Sequence, residues 1–199
     1  MEEFYNKYVA GYSTSPELTI NFYNENLLFF NNISYFKNAR ELTLFLEVYY
    51  RCITAFINKK QYKNALTALK PLPVIEKAID EFKIDRADFN LYKWLLTQKA
   101  TALCYLKDYS ASKSLFKTLQ IYDPENDNVK MWIEHCWMKQ IEKYILVPLV
   151  IAWIIIIGQR VSKTPNIIIY HICTYISVAC VLIYFIMYVY IQRKRNKKT

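Results

Sequence analysis

Apolar residues between positions 93 and 126 recur at helical spacing through Leu95, Leu96, Ala100, Leu103 and Leu106. They pause at Lys107-Asp108, then resume through Tyr109, Phe116, Leu119 and Tyr122. This predicts a helix, a turn and a second helix. Asp108 is placed to cap the second helix, Pro124 stops it, and Asp123 or Asn126 can cap the next. A weaker copy starts near Leu46, with Tyr49, Ile53, Phe56, Tyr62, Ala65, Leu69 and Leu72 in corresponding places. There Pro71 and Pro73 interrupt the second helix, and the segment VIEKAIDEFKID is extra. Upstream, SPELTINFYNENLLFFNNISYF predicts a helix opened by Ser15-Pro16 that packs as the N-terminal partner of this copy. Downstream, Val129, Trp132, Ile133, Cys136, Trp137 and Ile141 predict a capping helix over residues 127–143. Nothing breaks the pattern before Tyr144, so this helix is expected to run on into the apolar stretch that follows.

That stretch, YILVPLVIAWIIIIG, and a later one, IIIYHICTYISVACVLIYFIMYVYI, carry no formal charge. The later stretch is long enough as a helix to cross a hydrocarbon core about 30 Å thick. The earlier one reaches only about 22 Å and needs flanking residues to cross. Two spans are expected, over about 142–160 and 167–191, forming a membrane hairpin over 144–192 and leaving 193–199 as a basic tail. Arg193, Lys194, Arg195, Lys197 and Lys198 place that tail in the cytoplasm, at an anionic leaflet. Two crossings return residues 1–143 to the same side and put Ser162 to Pro165 opposite. The N-terminal residues begin with two acids and lack the apolar core of a secretory signal.

Composition narrows the class. With 2 Gly and 6 Pro among 199 residues and 54% hydrophobic content, tight hairpins are scarce and an all-α chain is favoured. The net charge of +9 says little about the soluble part. All the acidic residues precede Tyr144, whereas seven of the lysines and arginines follow it. The basicity belongs to the C-terminal quarter, so no nucleic-acid surface is expected. The cysteines at 52, 104, 136, 173 and 180 are scattered and odd in number, as suits reduced thiols. No phosphate loop, zinc pattern or catalytic triad spacing is present. No enzymatic activity, cofactor or metal is therefore expected. His135 and Cys136 are adjacent and leave a helix on different sides, and His171 lies near the start of the second stretch.

The hairpin at 93–126 resembles a tetratricopeptide repeat, with Leu96, Ala100, Leu103, Tyr109, Phe116, Leu119 and Pro124 at signature places when Lys93 is the first position. It departs at Lys99, where Leu is usual, and at Ser112, where Ala is usual. The copy over about 46–79 is similar but less regular. The resemblance implies stacked helical hairpins whose first helices line a peptide groove. From the first copy it implies Tyr50, Arg51, Thr54 and Asn58, with Glu47. From the second it implies Trp94, Gln98, Thr101 and Tyr105, with Thr97. Arg51 is the only cation on these faces, which disfavours a carboxylate clamp and favours a peptide held by aromatic contacts. The expected function is a membrane-anchored adaptor that recruits a protein or peptide partner. The alternative is a small accessory subunit whose membrane helices make the specific contacts.

Overall fold

The computed structural model describes residues 1–161 and 166–196, and the described residues form ten α-helices and no strand. The expected far-side turn at Ser162 to Pro165 lies outside them, as do Lys197 to Thr199. The chain divides into two units, Met1–Cys136 and Trp137–Thr199.

The first unit opens with α1 (Glu2–Gly11), a helix the apolar pattern above did not predict. Its partner α2 (Pro16–Glu25) begins as expected: Ser15 Oγ accepts from the Leu18 N–H at 3.2 Å, and Pro16 takes the first helical position. The predicted single helix upstream of the first copy is in fact broken. At Asn26 the chain leaves helical geometry and restarts as α3 (Leu27–Asn32). There the Asn26 amide turns back to donate to the Phe22 carbonyl at 2.8 Å.

The long helix α4 (Ala39–Asn58) starts well before Leu46 because Asn38 and Glu41 form a capping arrangement. Asn38 Oδ1 accepts from the Glu41 N–H at 3.0 Å, and Glu41 Oε2 accepts from the Lys37 N–H at 3.0 Å. The proline break then behaves as a joint. α5 (Tyr62–Ala68) ends early and α6 (Leu72–Glu81) restarts with Pro73 in its first turn. The Leu72 N–H bonds to Leu69, which frees the Ala68 carbonyl. The hydroxyl of the fully buried Tyr49 donates to that carbonyl.

The second hairpin is α7 (Asn90–Tyr105) and α8 (Tyr109–Tyr122). Asp108 caps α8 through the Ala111 N–H at 3.2 Å, as its position suggested. Ser112, at the place where a smaller residue was expected, is fully buried and donates to the Ala100 carbonyl at 2.8 Å. Its hydroxyl therefore tightens the contact between the two helices.

Packing among these helices repeats. α1 with α2, α4 with α5 and α7 with α8 are contacting pairs joined by short turns, α1 lies on α4, and α4 lies on α7. The second helix of each of the first two pairs also packs on the first helix of the next, α2 on α4 and α5 on α7. The Lys59–Glu17 ion pair and the stacked rings of Tyr62 and Tyr105 bring the three inter-helix turns to one end of the unit.

Lys60, Lys83 and Lys107 adopt φ of 58°, 53° and 67°, each one residue beyond a helix C-cap. The bonds there have the Schellman pattern: Lys60 N–H to Ile57 and Gln61 N–H to Phe56, and Lys107 N–H to Cys104 and Asp108 N–H to Leu103. Glycine takes this conformation without a Cβ clash. Lys60→Gly and Lys107→Gly are each expected to stabilise the domain by about 1 kcal/mol, seen as a higher Tm. A lower Tm in both would refute the strain argument.

The core is rich in phenols and thiols. Burial pushes the Tyr23 phenol up to about 12 and also raises Tyr49, Tyr92 and the Cys52 thiol. An unfolded chain releases these protons near pH 9 to 10, roughly the reference range, whereas the folded one keeps them. Their contribution is complete below about pH 9 and falls as pH rises through 10 toward 12. A Tm series across alkaline pH should decline, and Tyr23→Phe should flatten the decline.

In the second unit and its approach, α9 runs unbroken from Asp127 to Val161, passing through Pro148. The expected cap helix and first apolar stretch are thus one helix. Asn126 caps it, with Oδ1 accepting from the Val129 N–H at 3.3 Å. α10 spans Ile167–Asn196, beyond the Ile191 expected from hydropathy alone. Among the described residues one helical stretch, Ile167–Ile186, is long and apolar enough to cross a membrane, with mean hydropathy 2.1. The earlier apolar stretch shortens to Leu149–Gly158, about 15 Å at the α-helical rise. Two complete spans are therefore not shown. Most described side chains of α10 up to Ile186 are exposed, whereas Cys173 is buried, as are Ile145 and Ala152 of α9.

Candidate functional site

The groove residues implied by the sequence lie on α4 and α7, which pack against each other. Tyr50 and Trp94 meet there, with ring centroids 5.4 Å apart and planes tilted by 40°. Trp94 remains half exposed, Tyr50 is half-buried, and Arg51 is exposed on the adjoining stripe of α4. This region also involves α1, which no reading of the sequence included. The Glu47 carboxylate beside the Tyr5 phenol raises its pKa, while the nearby Arg51 charge acts in the opposite direction. Glu2 of α1 pairs with Arg40 at the start of α4.

The signal for α1 was present. Phe4, Tyr5, Tyr8, Val9 and Tyr12 recur at helical spacing after two acids suited to a first turn. Phe4 and Tyr8 point into the core, where both rings contact Phe22 at 5.0 and 5.2 Å.

The remaining implied residues divide. Gln98 and Thr101 are half-buried along α7, Thr97 bonds back to the Lys93 carbonyl at 2.9 Å, and Asn58 is exposed at the end of α4. Thr54 Oγ1 is, among the described residues, the buried side-chain polar atom without a hydrogen-bond partner. Tyr105 does not join Tyr50 and Trp94. It lies about 16 Å further along α7 and stacks on Tyr62 at 4.5 Å with planes 6° apart. Trp132 of α9 meets Tyr105 edge-on at 6.4 Å. Neither Tyr62 nor Trp132 was singled out as a surface residue from the sequence, because cross-hairpin neighbours depend on how the pairs stack.

Two other clusters are closed structures. Tyr92 donates to Glu76 at 3.0 Å, and Arg86 donates to both oxygens of Asp80 at 2.7 and 2.8 Å while lying 5.8 Å from the Tyr92 ring. This network ties α6 and the following loop to the start of α7. Cys136 is fully buried, with its thiol 3.3 Å from Ser112 Oγ and 4.0 Å from the Cys104 thiol. The one Ser112 proton goes to the Ala100 carbonyl, and the Cys136 thiol is placed to donate to the Cys104 sulfur. His135 instead sits half-buried with its ring 5.7 Å from Trp132, so the adjacent pair points to different surroundings. Among the described residues no group of three or more His, Cys, Asp or Glu is placed to hold a metal ion.

The α4–α7 face carries a half-exposed indole against a tyrosine, the Arg51 guanidinium on the adjoining stripe, and amide and hydroxyl groups along one helix. Compared with family models, with curated proteins and with solved structures, the chain matches none of them.

Proposed function

We propose that this protein is a membrane-anchored, tetratricopeptide-like adaptor that recruits a protein or peptide partner to the cytoplasmic face of a membrane. The observation that carries the reading is the repeated packing of the three helix pairs, with first helix on first helix and second helix on the next first helix. Burial of many of the signature positions supports it: Tyr49, Ile53, Ala65, Leu96, Ala100, Phe116 and Leu119 are buried, while Tyr62, Leu103 and Tyr109 are half-buried. The additional pair, α1 with α2, answers the requirement that a solenoid have about three repeats to complete a core. Recruitment uses the α4–α7 face, with Trp94 as the aromatic anchor and Arg51 as the cation. Anchoring uses α10 and the apolar part of α9, which cross as a hairpin and leave both termini cytoplasmic.

The test is the full-length double variant Trp94→Ala with Arg51→Ala, measured by quantitative co-isolation of partners from membranes. Loss of a central hot spot of about 2 kcal/mol or more corresponds to roughly thirtyfold in affinity. Recruitment is expected to disappear while membrane insertion and helical content persist. If the double variant keeps its partner and changes along Cys173, Thr174 and Ser177 of α10 remove it, the contacts are in the bilayer and the protein is an accessory membrane subunit instead.

A further inference from the structure

We propose that the end of the first unit bearing the inter-helix turns is a docking surface for anionic lipid headgroups, centred on Lys60, Lys63 and Lys107 around the stacked Tyr62 and Tyr105 rings. The inference rests on the membrane-anchored reading above. Lys60 and Lys107 occupy left-handed positions where glycine fits without strain, yet both present an exposed ammonium. They flank the ring stack, Lys60 two residues before Tyr62 and Lys107 two residues after Tyr105. Lys83 has the same backbone but lies at the other end, three residues from Arg86, which contacts Tyr92 and Tyr122 at the start of α7 and the end of α8. The conformation alone is therefore not the signal. The pairing of two such lysines across an aromatic platform is.

Charge at this end is unbalanced. Glu17 is committed to Lys59, and Asp108, the acceptor for the Ala111 N–H, leaves one carboxylate against the three lysines. Among the described residues Lys60, Lys63 and Lys107 make no ion pair. Tyr105 is 54% exposed, so a ring with an apolar body and a polar tip lies open beside three cations, the combination suited to a headgroup layer. The occupant follows from reach. Trp132 edges Tyr105, and the chain from Trp132 to Tyr144, where the apolar run begins, extends at most about 40 Å. A bilayer holding that run is always within range, so even weak headgroup contacts act at high effective concentration. Each lysine close to an anionic leaflet strengthens attachment about fivefold.

The test uses the full chain in nanodiscs of phosphatidylcholine, with and without phosphatidylserine, and reads the acylation rate of each lysine by mass spectrometry. On the anionic discs at low salt Lys60, Lys63 and Lys107 are expected to react about tenfold more slowly, Lys83 to be unchanged, and high salt to remove the difference. The variant Lys60→Gly with Lys107→Gly should fold with a higher Tm and lose most of the protection at Lys63. Equal labelling in the two lipids overturns the inference alone. So does equal protection on neutral discs by added inositol hexakisphosphate, which would make this a site for free anions. Release of the chain from vesicles by alkaline carbonate overturns the anchored reading and the inference with it.

Discussion

Phe30→Ala is expected to abolish cooperative folding of the N-terminal unit at physiological temperature. Phe30 is fully buried and its ring contacts those of Phe4, Phe22, Tyr23, Phe29, Phe45 and Tyr49, with centroid separations from 4.8 to 6.4 Å. Removing a buried phenylalanine costs about 3 to 5 kcal/mol through lost transfer energy and the cavity left behind. Each aromatic pair adds about 0.5 to 1.5 kcal/mol beyond burial. A domain with a total stability of roughly 5 to 15 kcal/mol has little left after that. Phe30→Leu keeps most of the volume and should cost far less, under about 2 kcal/mol. Thermal melts of the three chains decide the matter. A Phe30→Ala protein melting with the parent would show that α1, α2, α3 and α4 do not share one core.

The next largest effect is expected at Phe116. This ring is fully buried in α8 and stacks on Trp132 of α9 at 5.5 Å with planes 7° apart. Phe116→Ala should cost about 3 to 5 kcal/mol. Pro124, only a short way along, is exposed in the break between α8 and α9 and should tolerate Ala at under about 1 kcal/mol, because such a proline acts partly through the unfolded chain. Equal tolerance of the two changes would mean that α9 does not cap the second hairpin through Trp132.

Much of this architecture was legible where local chemistry decides. Ser15-Pro16, Asp108, Pro124 and Asn126 each mark a helix end through a capping group or a missing N–H, and each acts where the sequence placed it. The helical character of 93–126 followed from periodicity alone. What escaped was set by tertiary contacts. α1 shows its pattern, but only packing on Phe22 and Glu47 reveals its place as the first helix of a pair. The start of α4 was signalled by Asn38 and Glu41, a polar arrangement that an apolar-pattern search passes over. The length of α5 depends on Tyr49 accommodating the Ala68 carbonyl, a partner from a different helix. At the α4–α7 face Tyr50 meets Trp94, whereas Tyr105 meets neither of them. Its partner, Tyr62, sits on the second helix of the preceding pair, and no single-hairpin register contains that contact.

The repeated pairing of successive helices has a kinetic consequence. The helices of the first unit find their partners within the same pair or the next one along the chain, α1 and α2 on α4, α4 and α5 on α7, and α8 on α7. Such short loop closures make for rapid folding, on the microsecond to millisecond scale typical of roughly local topologies. All of these partners precede α10 in the chain. During synthesis at about 5 to 20 residues per second, the helix pairs can therefore assemble in order as they leave the ribosome. The apolar helix then emerges behind a domain already closed, with its aromatic core no longer available to compete for the same hydrophobic surfaces.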